Sequence, residues 1–436
     1  MKTNYLLVSA FIVLTIFLSP LKAQVLINGI AYDTITVKGV KVAQTVSLPK
    51  QGDTDVRYSQ ASITIPASVD LYGKTYPVKK IGNNSMRNNN NLTSITLPEG
   101  LEIIGNSSFA QCEAIPAVVL PSTVNSIEDW AFYGNYKLAS INIPNGVKAI
   151  TEHTFQQCKE LTSIQLPASV TSLKVCAFQD CAKLASINLE NVREIIAWSL
   201  YGTALKNVVV NNVISVGDCA FAKMLNLETA ELNNCSELRG WLFQDCAKLN
   251  SVKMSGTQII NSGAFSGCSA LTSIKLPNTV TFLDDWSLEK TGITKIYASW
   301  TKKQITDATQ EGYVAIGANA FGSGTGKINF SWYVPTDIYW DWQMDDFKGY
   351  PIVEDTQSAV KNINLENCRV FYNAGTLNIE NLANYKVAVI SLEGRTISSF
   401  VVEGNNFKTD LALNNGVYLL QVTKDANSGV VKFAVR

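Results

Sequence analysis

The chain has 436 residues, with 36 Lys plus Arg balanced by 36 Asp plus Glu and a single His. A net charge of zero argues against nucleic acid or an anionic membrane as a main partner, since both demand a basic excess. One His and no C-x-x-C pair leave no standard zinc spacing, so neither a metal site nor a cofactor is expected.

Residues 1–23 place Lys2 before an apolar run from Tyr5 to Leu18, followed by Pro20 and the small Ala23. That is the layout of a secretory signal cut before Gln24. No later apolar run is long enough to span a bilayer, so an exported chain without a transmembrane segment is expected. Residues 24–80 alternate weakly ("VLINGIAYDTITV") and read as strands and a solenoid cap, with a hairpin from Leu71 to Pro77 turning at Gly73.

Residues 81–321 are periodic. The heptapeptide "FQDCAKL" starts at Phe178 and again at Phe243, and the interval holds three shorter units. Phe109, Phe132, Phe155 and Phe178 recur every 23 residues; Leu200, Phe221, Phe243, Phe265 and Leu288 continue at 21–23. Met86 extends the series backwards and Phe321 resumes it later. A period of this size means a solenoid, in which each copy buries its apolar face only against its neighbours. The best copies read L-x-x-I-x-L-P-x-x-V-x-x-I, then F-x-x-C. The I-x-L segment alternates, placing Ile164 and Leu166 inward and Gln165 outward. Pro167 ends the strand because it has no N–H to donate. One short parallel strand per copy is therefore expected, over about ten copies.

Residues 322–355 break the period with a cluster of aromatics around Pro335. They read as a C-terminal cap with a short helix around Trp340 to Phe347. Residues 360–436 hold seven short alternating runs separated by turn signals, the pattern of a small antiparallel β-sandwich. The fold class is thus mainly β: a solenoid of about ten repeats of 21–23 residues plus a small C-terminal β-sandwich.

The elements "IGNNSM", "LTSITLP", "SIEDWAF" and "FQQCKELTSIQLP" resemble the BspA-like leucine-rich repeats of bacterial surface and secreted proteins. Pro often stands where the widespread leucine-rich repeat has Asn. The C-terminal "SLEGRTI", "NNGVYLLQV" and "VVKFAVR" resemble the sorting domain of type IX secretion in Bacteroidetes. Together the resemblances imply a secreted or outer-surface protein that works by adhesion or ligand binding.

Candidate chemistry is sparse. His153 lies two residues before the Phe column, in a slot that elsewhere holds Trp130, Cys176, Trp198, Cys219, Trp241 and Trp286, so it reads as a packing position. Cys112, Cys158, Cys181, Cys246 and Cys268 form a column at Phe plus three. Export would permit a disulfide between stacked neighbours such as Cys158 and Cys181. Parallel stacking aims both side chains the same way, however, and the column reads as buried thiols. There is no phosphate loop, no G-x-S-x-G and no paired-carboxylate motif, so no catalytic residue is assigned and the chain reads as a non-enzyme.

What remains is the outward face of the strand ladder. Its central column runs from Thr96 and Val119 through Gln165 to Glu231, Lys253, Lys275 and Tyr297. The first half is small and neutral, and the second is charged and ends in an aromatic. Contact is placed at Glu231, Lys253, Lys275, Lys295, Tyr297 and Trp300, which combine charge with aromatics expected to be exposed. The expected partner is a protein or glycan on a host or bacterial surface, bound by a monomer. The alternative is a glycan-binding or scaffolding protein of the cell envelope.

Overall fold

The computed structural model describes residues 24–48, 57–211, 213, 215–309, 312–335, 346–355, 368–373, 375–391, 395–424 and 427–435. The expected signal segment and the connector into the sandwich lie outside these residues, as does most of the expected cap helix. Two compact units emerge: one runs to Ile296 and adds Lys303–Ser331, and the other joins Tyr297–Lys302 to the stretch from Trp332 onward.

The first unit is the solenoid. It opens with strands Val25–Ile27, Ile30–Val37 and Val40–Val46, antiparallel to one another. Their turns, Asn28-Gly29 and Lys38-Gly39, hold both residues at positive φ, as does Tyr72-Gly73 in the expected hairpin between Ser68–Leu71 and Lys74–Ile81. Left-handed pairs of this kind match the twist of two-residue hairpins. Val40–Val46 then pairs in parallel with Lys74–Ile81, which pairs in parallel with Ile103–Ile104. The entry hairpins thereby become the first rungs of the repeat.

Each coil carries two short strands, not the single one expected. The first is the I-x-L segment, as in Ser163–Ile164 beside Ser186–Ile187. The second lies at the V-x-x-I end. Eight of these second strands, from Ala149–Ile150 to Ala315–Ile316, stack in parallel and in chain order. The Pro between the two strands opens a tight turn: Val124, Val147 and Val170 donate to the carbonyls of Pro121, Pro144 and Pro167.

The remaining wall is a ladder of turns. The N–H groups of Trp130, Phe132 and Gly134 donate to the carbonyls of Glu152, Thr154 and Gln156 one coil on, and the same three positions repeat along the unit. The intervening Ala131, Tyr133 and Asn135 donate back three residues within their own coil. This zigzag places positive φ two residues before and two after the column residue of every coil from Met86 to Leu288. Trp130 has φ 60°, Gly134 φ 69°, His153 φ 54° and Gln157 φ 64°. A non-glycine residue in this region costs about 1–2 kcal/mol; the ladder bonds hold it there.

Inside, Phe109, Phe132, Phe155 and Phe178 are fully buried and stack with centroids 5.4–5.6 Å apart. Phe221, Phe243 and Phe265 stack at 5.5 Å. The Cys column stands beside them. Each thiol donates to the carbonyl of the Phe, or Met86, of the preceding coil, for example Cys181 Sγ to Phe155 O at 3.0 Å and Cys268 Sγ to Phe243 O at 3.1 Å. The nine cysteines are all free thiols.

In the second unit, Ser331–Pro335 pairs in parallel with Tyr350–Asp355 over Trp332 to Asp355. Asp346–Phe347 is the first strand of a hairpin with Tyr350–Asp355 rather than the end of a helix, because Lys348 and Gly349 turn the chain at positive φ. The C-terminal part contains the seven expected strands, from Arg369–Asn373 to Asn427–Val435. They form one three-stranded and one four-stranded antiparallel sheet. Leu377, Ile379, Val387, Val389, Leu420 and Val422 lie in their common core.

Candidate functional site

The alternation of the first strands sets the outward face. Ile164 and Leu166 are buried while Ser163 and Gln165 are exposed, and the pattern repeats at Val208 and Val210 against Asn207 and Val209. The face is chemically uneven. Asn207–Asn211, Thr229–Asn233 and Ser251–Met254 are four to five residues long and pair in continuous register, where the four preceding coils offer only two. Val209, Glu231 and Lys253 face one another across these three strands. Glu231 lies 3.8 Å from Lys253 Nζ and accepts from Asn233, which also donates to Asn211.

Just before this patch the first-strand ladder is interrupted. Strand Ser186–Ile187 does not continue into Asn207–Asn211, leaving a hollow of ≈ 350 Å³ lined by Ile187, Asn188, Glu190, Leu205, Val209 and Asn211. The local sequence explains it. Asn188 turns back to donate to and accept from the Leu166 backbone, and Glu190 stands where the preceding coils have the strand-ending Pro. The hollow was not visible in the repeat pattern, whereas the outward place of Val209 (47% accessible) was, between inward Val208 and Val210.

Of the six expected contact residues, Glu231, Lys253 and Lys275 share one face of the first unit. Both lysines are exposed and Glu231 is half-buried. Lys295 is exposed. Tyr297 is half-buried in the second unit, where it packs on Tyr333 at 5.1 Å. Trp300 is not an exposed aromatic. It is fully buried and packs against Trp332 at 5.9 Å. Period-2 alternation gives the reason: Ile296, Ala298 and Trp300 share the inward parity, so the strand direction carries Trp300 into the core.

The His153 slot divides by side-chain size. Cys176 and Cys219 are buried, with thiol pKa values pushed up to about 11, chiefly by that burial. His153 stacks on Trp130 at 3.8 Å, and its Nδ1–H donates to Gln156 Oε1 at 2.7 Å. These contacts are structural. Trp198, Trp241 and Trp286 are 38%, 44% and 40% exposed, which the reading of a pure packing slot did not anticipate. Among the described residues no group of His, Cys, Asp and Glu could hold a metal ion, and no helix is long and apolar enough to cross a membrane.

Comparison with known proteins agrees with this architecture. A family model described as the BspA type leucine-rich repeat region matches six copies over residues 79–206 and 194–313. A second, the secretion system C-terminal sorting domain, matches residues 373–436. Among solved structures, a leucine-rich repeat protein from Bacteroides ovatus matches at 18% identity, covering 76% of this chain and 100% of its own, with a TM-score of 0.44. A leucine-rich cell surface protein from Faecalibacterium prausnitzii matches at 19% identity, 74% and 98% coverage, and a TM-score of 0.43. No curated protein sequence matched. With its repeats matched over more than half of its length and a sorting domain at its end, this secreted or outer-surface chain belongs to the BspA-type leucine-rich repeat family.

Proposed function

We propose that the protein is a non-enzymatic adhesin that binds a protein on a host or bacterial surface through the outward face of its first-strand ladder. The observation that carries this reading is a coincidence in one place. The lengthening of that ladder's strands from two residues to four or five and the change from neutral to charged side chains both occur between Asn207 and Lys275. An even solvated face would show no such clustering. A platform of fixed backbone keeps the charges in register, so a partner of complementary charge meets them without ordering a loop first. The chain acts as a monomer in this reading, since every coil already has its neighbour.

The test is binding of the full mature chain to a panel of immobilised extracellular-matrix proteins. Lys253→Glu with Lys275→Glu reverses two exposed charges and should weaken capture at least about tenfold. Raising the salt should weaken the wild type in the same direction. Capture of every panel member unaffected by the charge reversal, in a variant that melts like the wild type, would sink the ladder face as the contact.

A further inference from the structure

The turn ladder of the solenoid carries a second surface, on a different wall from the first-strand ladder. Trp198, Trp241 and Trp286 occupy the positive-φ position two residues before the buried column, at φ 62°, 52° and 56°. They stand in alternate coils, and the coils between them hold buried Cys219 and side-chain-free Gly263. At Gly263 the small residue has a steric consequence. A Cβ on Gly263 would lie 2.5 Å from Cδ1 and 2.6 Å from Nε1 of Trp241. The five-membered ring of Trp241 therefore lies over the Gly263 backbone, which covers one face and leaves the indole 44% exposed. At Trp241 it is the missing side chain of Gly263 that lets the ring lie down. Two coils separate successive rings, about 10 Å at the spacing of stacked strands.

Residues that flank the first two tryptophans in the chain line a groove of ≈ 430 Å³. Ala197 and Gly217 are part of its lining and give it depth; Glu194, Asp218 and Arg239 supply its polar edge. Trp198 follows Ala197 directly, and Trp241 follows Arg239 by two residues. The polar groups are held in place: Asp218 accepts from Gly240 N at 3.0 Å, and Arg239 donates to Glu237 at 3.0 Å. Hydrogen bonds from Lys174 and Ser172 lower the Glu194 pKa, so that carboxylate is ionised and accepting.

We propose that this wall binds a linear, uncharged oligosaccharide. The faces of two of its pyranose rings rest on Trp198 and Trp241, and the hydroxyls of the segment between them reach the groove at Glu194, Asp218 and Arg239. Polarised C–H groups on a sugar face meet the electron-rich face of an indole. Hydroxyls both donate to the carboxylates and accept from the guanidinium. The ring spacing of about 10 Å matches the length of two linked pyranose units. A protein partner fits less well. Interface cores are depleted in charged residues, and here Trp198, beside Tyr201 at 5.0 Å, and Trp241 stand two coils apart with Glu194, Asp218 and Arg239 between them. Nucleic acid fits worse, because Glu194 and Asp218 would repel its phosphates. Trp286 extends the row by a further ring for a longer chain. This site is independent of the adhesin reading and stands or falls without it.

The probes are cello-, chito-, xylo- and manno-hexaose with the matching disaccharides, titrated into the full mature chain and followed by tryptophan fluorescence and calorimetry. At least one hexasaccharide should bind, and more tightly than its disaccharide. Trp198→Gly and Trp241→Gly suit the positive-φ backbone, as Gly263 does in its own coil, so they remove rings without disturbing the turn. Each should weaken hexasaccharide binding about tenfold, and the pair should abolish it while the variant still melts cooperatively, lowered only by the lost contact of Trp198 with Tyr201. Lys253→Glu with Lys275→Glu should leave hexasaccharide binding unchanged, which separates this wall from the ladder face. Failure of all four hexasaccharides to bind overturns the proposal. So does binding that survives in the double tryptophan variant. Capture of a matrix protein that is lost in that variant, with no sugar bound, makes the wall a protein-docking surface instead and overturns it equally.

Discussion

Single residues in this protein answer mainly to the backbone of the turn ladder. His153 is the only histidine in the chain, yet its stack on Trp130 and its bond to Gln156 are contacts between neighbours in a wall. His153→Gln should therefore cost about 1 kcal/mol, the worth of an aromatic pair, and leave ladder-face binding intact. Loss of binding in a variant with a normal melt would give His153 a functional role. Gly267 tests the backbone more sharply. It has φ +79°, and an added Cβ would stand 2.5 Å from Asp245 Oδ1. Gly267→Ala should destabilise by about 1–2 kcal/mol, read as a lower urea midpoint at unchanged slope. An unchanged midpoint would mean the turn relaxes freely. The sequence announced the slot at Phe minus two but not its geometry. Trp, His, Cys, Asn and Gly share no propensity; they share only a left-handed backbone fixed by bonds to the next coil. The burial of Trp300 was readable from its parity with Ile296 and Ala298. Reading it as the end of an exposed column gave weight to its chemistry over its register.

At the scale of the element, the Phe and Cys columns act together. Phe178 stacks on Phe155 at 5.4 Å and is fully buried. Phe178→Ala should cost about 3–5 kcal/mol through lost transfer energy and the cavity left between two coils; a wild-type melting curve would contradict its place in the core. The thiol column makes the fold sensitive to alkali. Burial pushes Cys112 and Cys246 up to about 12 from an ordinary 9.0, and Cys181 and Cys268 well above their usual value. Below pH 9 folded and unfolded chains both keep these protons and the stability is full. Between pH 9 and 12 the unfolded chain releases protons that the folded chain retains. Stability then falls by about 1.4 kcal/mol per pH unit for each such thiol. The urea midpoint should be flat near neutrality and drop steadily above pH 9, less steeply after Cys246→Ala. A midpoint level to pH 11 would show that the thiols ionise inside the fold. Both columns were legible because a long side chain recurred at one period. The second strand of each coil was not, since two residues such as Ser172–Leu173 carry too little alternation to be read alone.

For the molecule as a whole, the seven-stranded tail and the repeats draw on different cores. Leu377, Val389 and Leu420 pack with one another, while the solenoid is sealed coil against coil. We propose that the sorting domain contributes to delivery and not to binding. A chain ended at Asp355 should fold, bind as the full mature chain does, and stall in the periplasm of a host with type IX secretion. An insoluble product would show that the tail completes the solenoid's core, and normal delivery would remove the sorting role. The seven sandwich strands were legible because turn residues punctuate each alternating run.

The turn ladder has a bearing on how such a protein changes length. Each coil offers donors forward and acceptors backward at the same three positions, so a whole coil can be lost and the faces left behind still fit. At the two copies of "FQDCAKL" even the join would be invisible. Recombination between them would excise residues 178–242 and restore an unbroken repeat three coils shorter, with both ends untouched. Such a deletion would also carry off Trp198, Trp241, Asp218 and Glu231 together. One crossing-over event would thus change the protein's reach and its ligand preferences at once, a route by which a lineage of surface proteins could diversify without ever passing through an unfolded intermediate form.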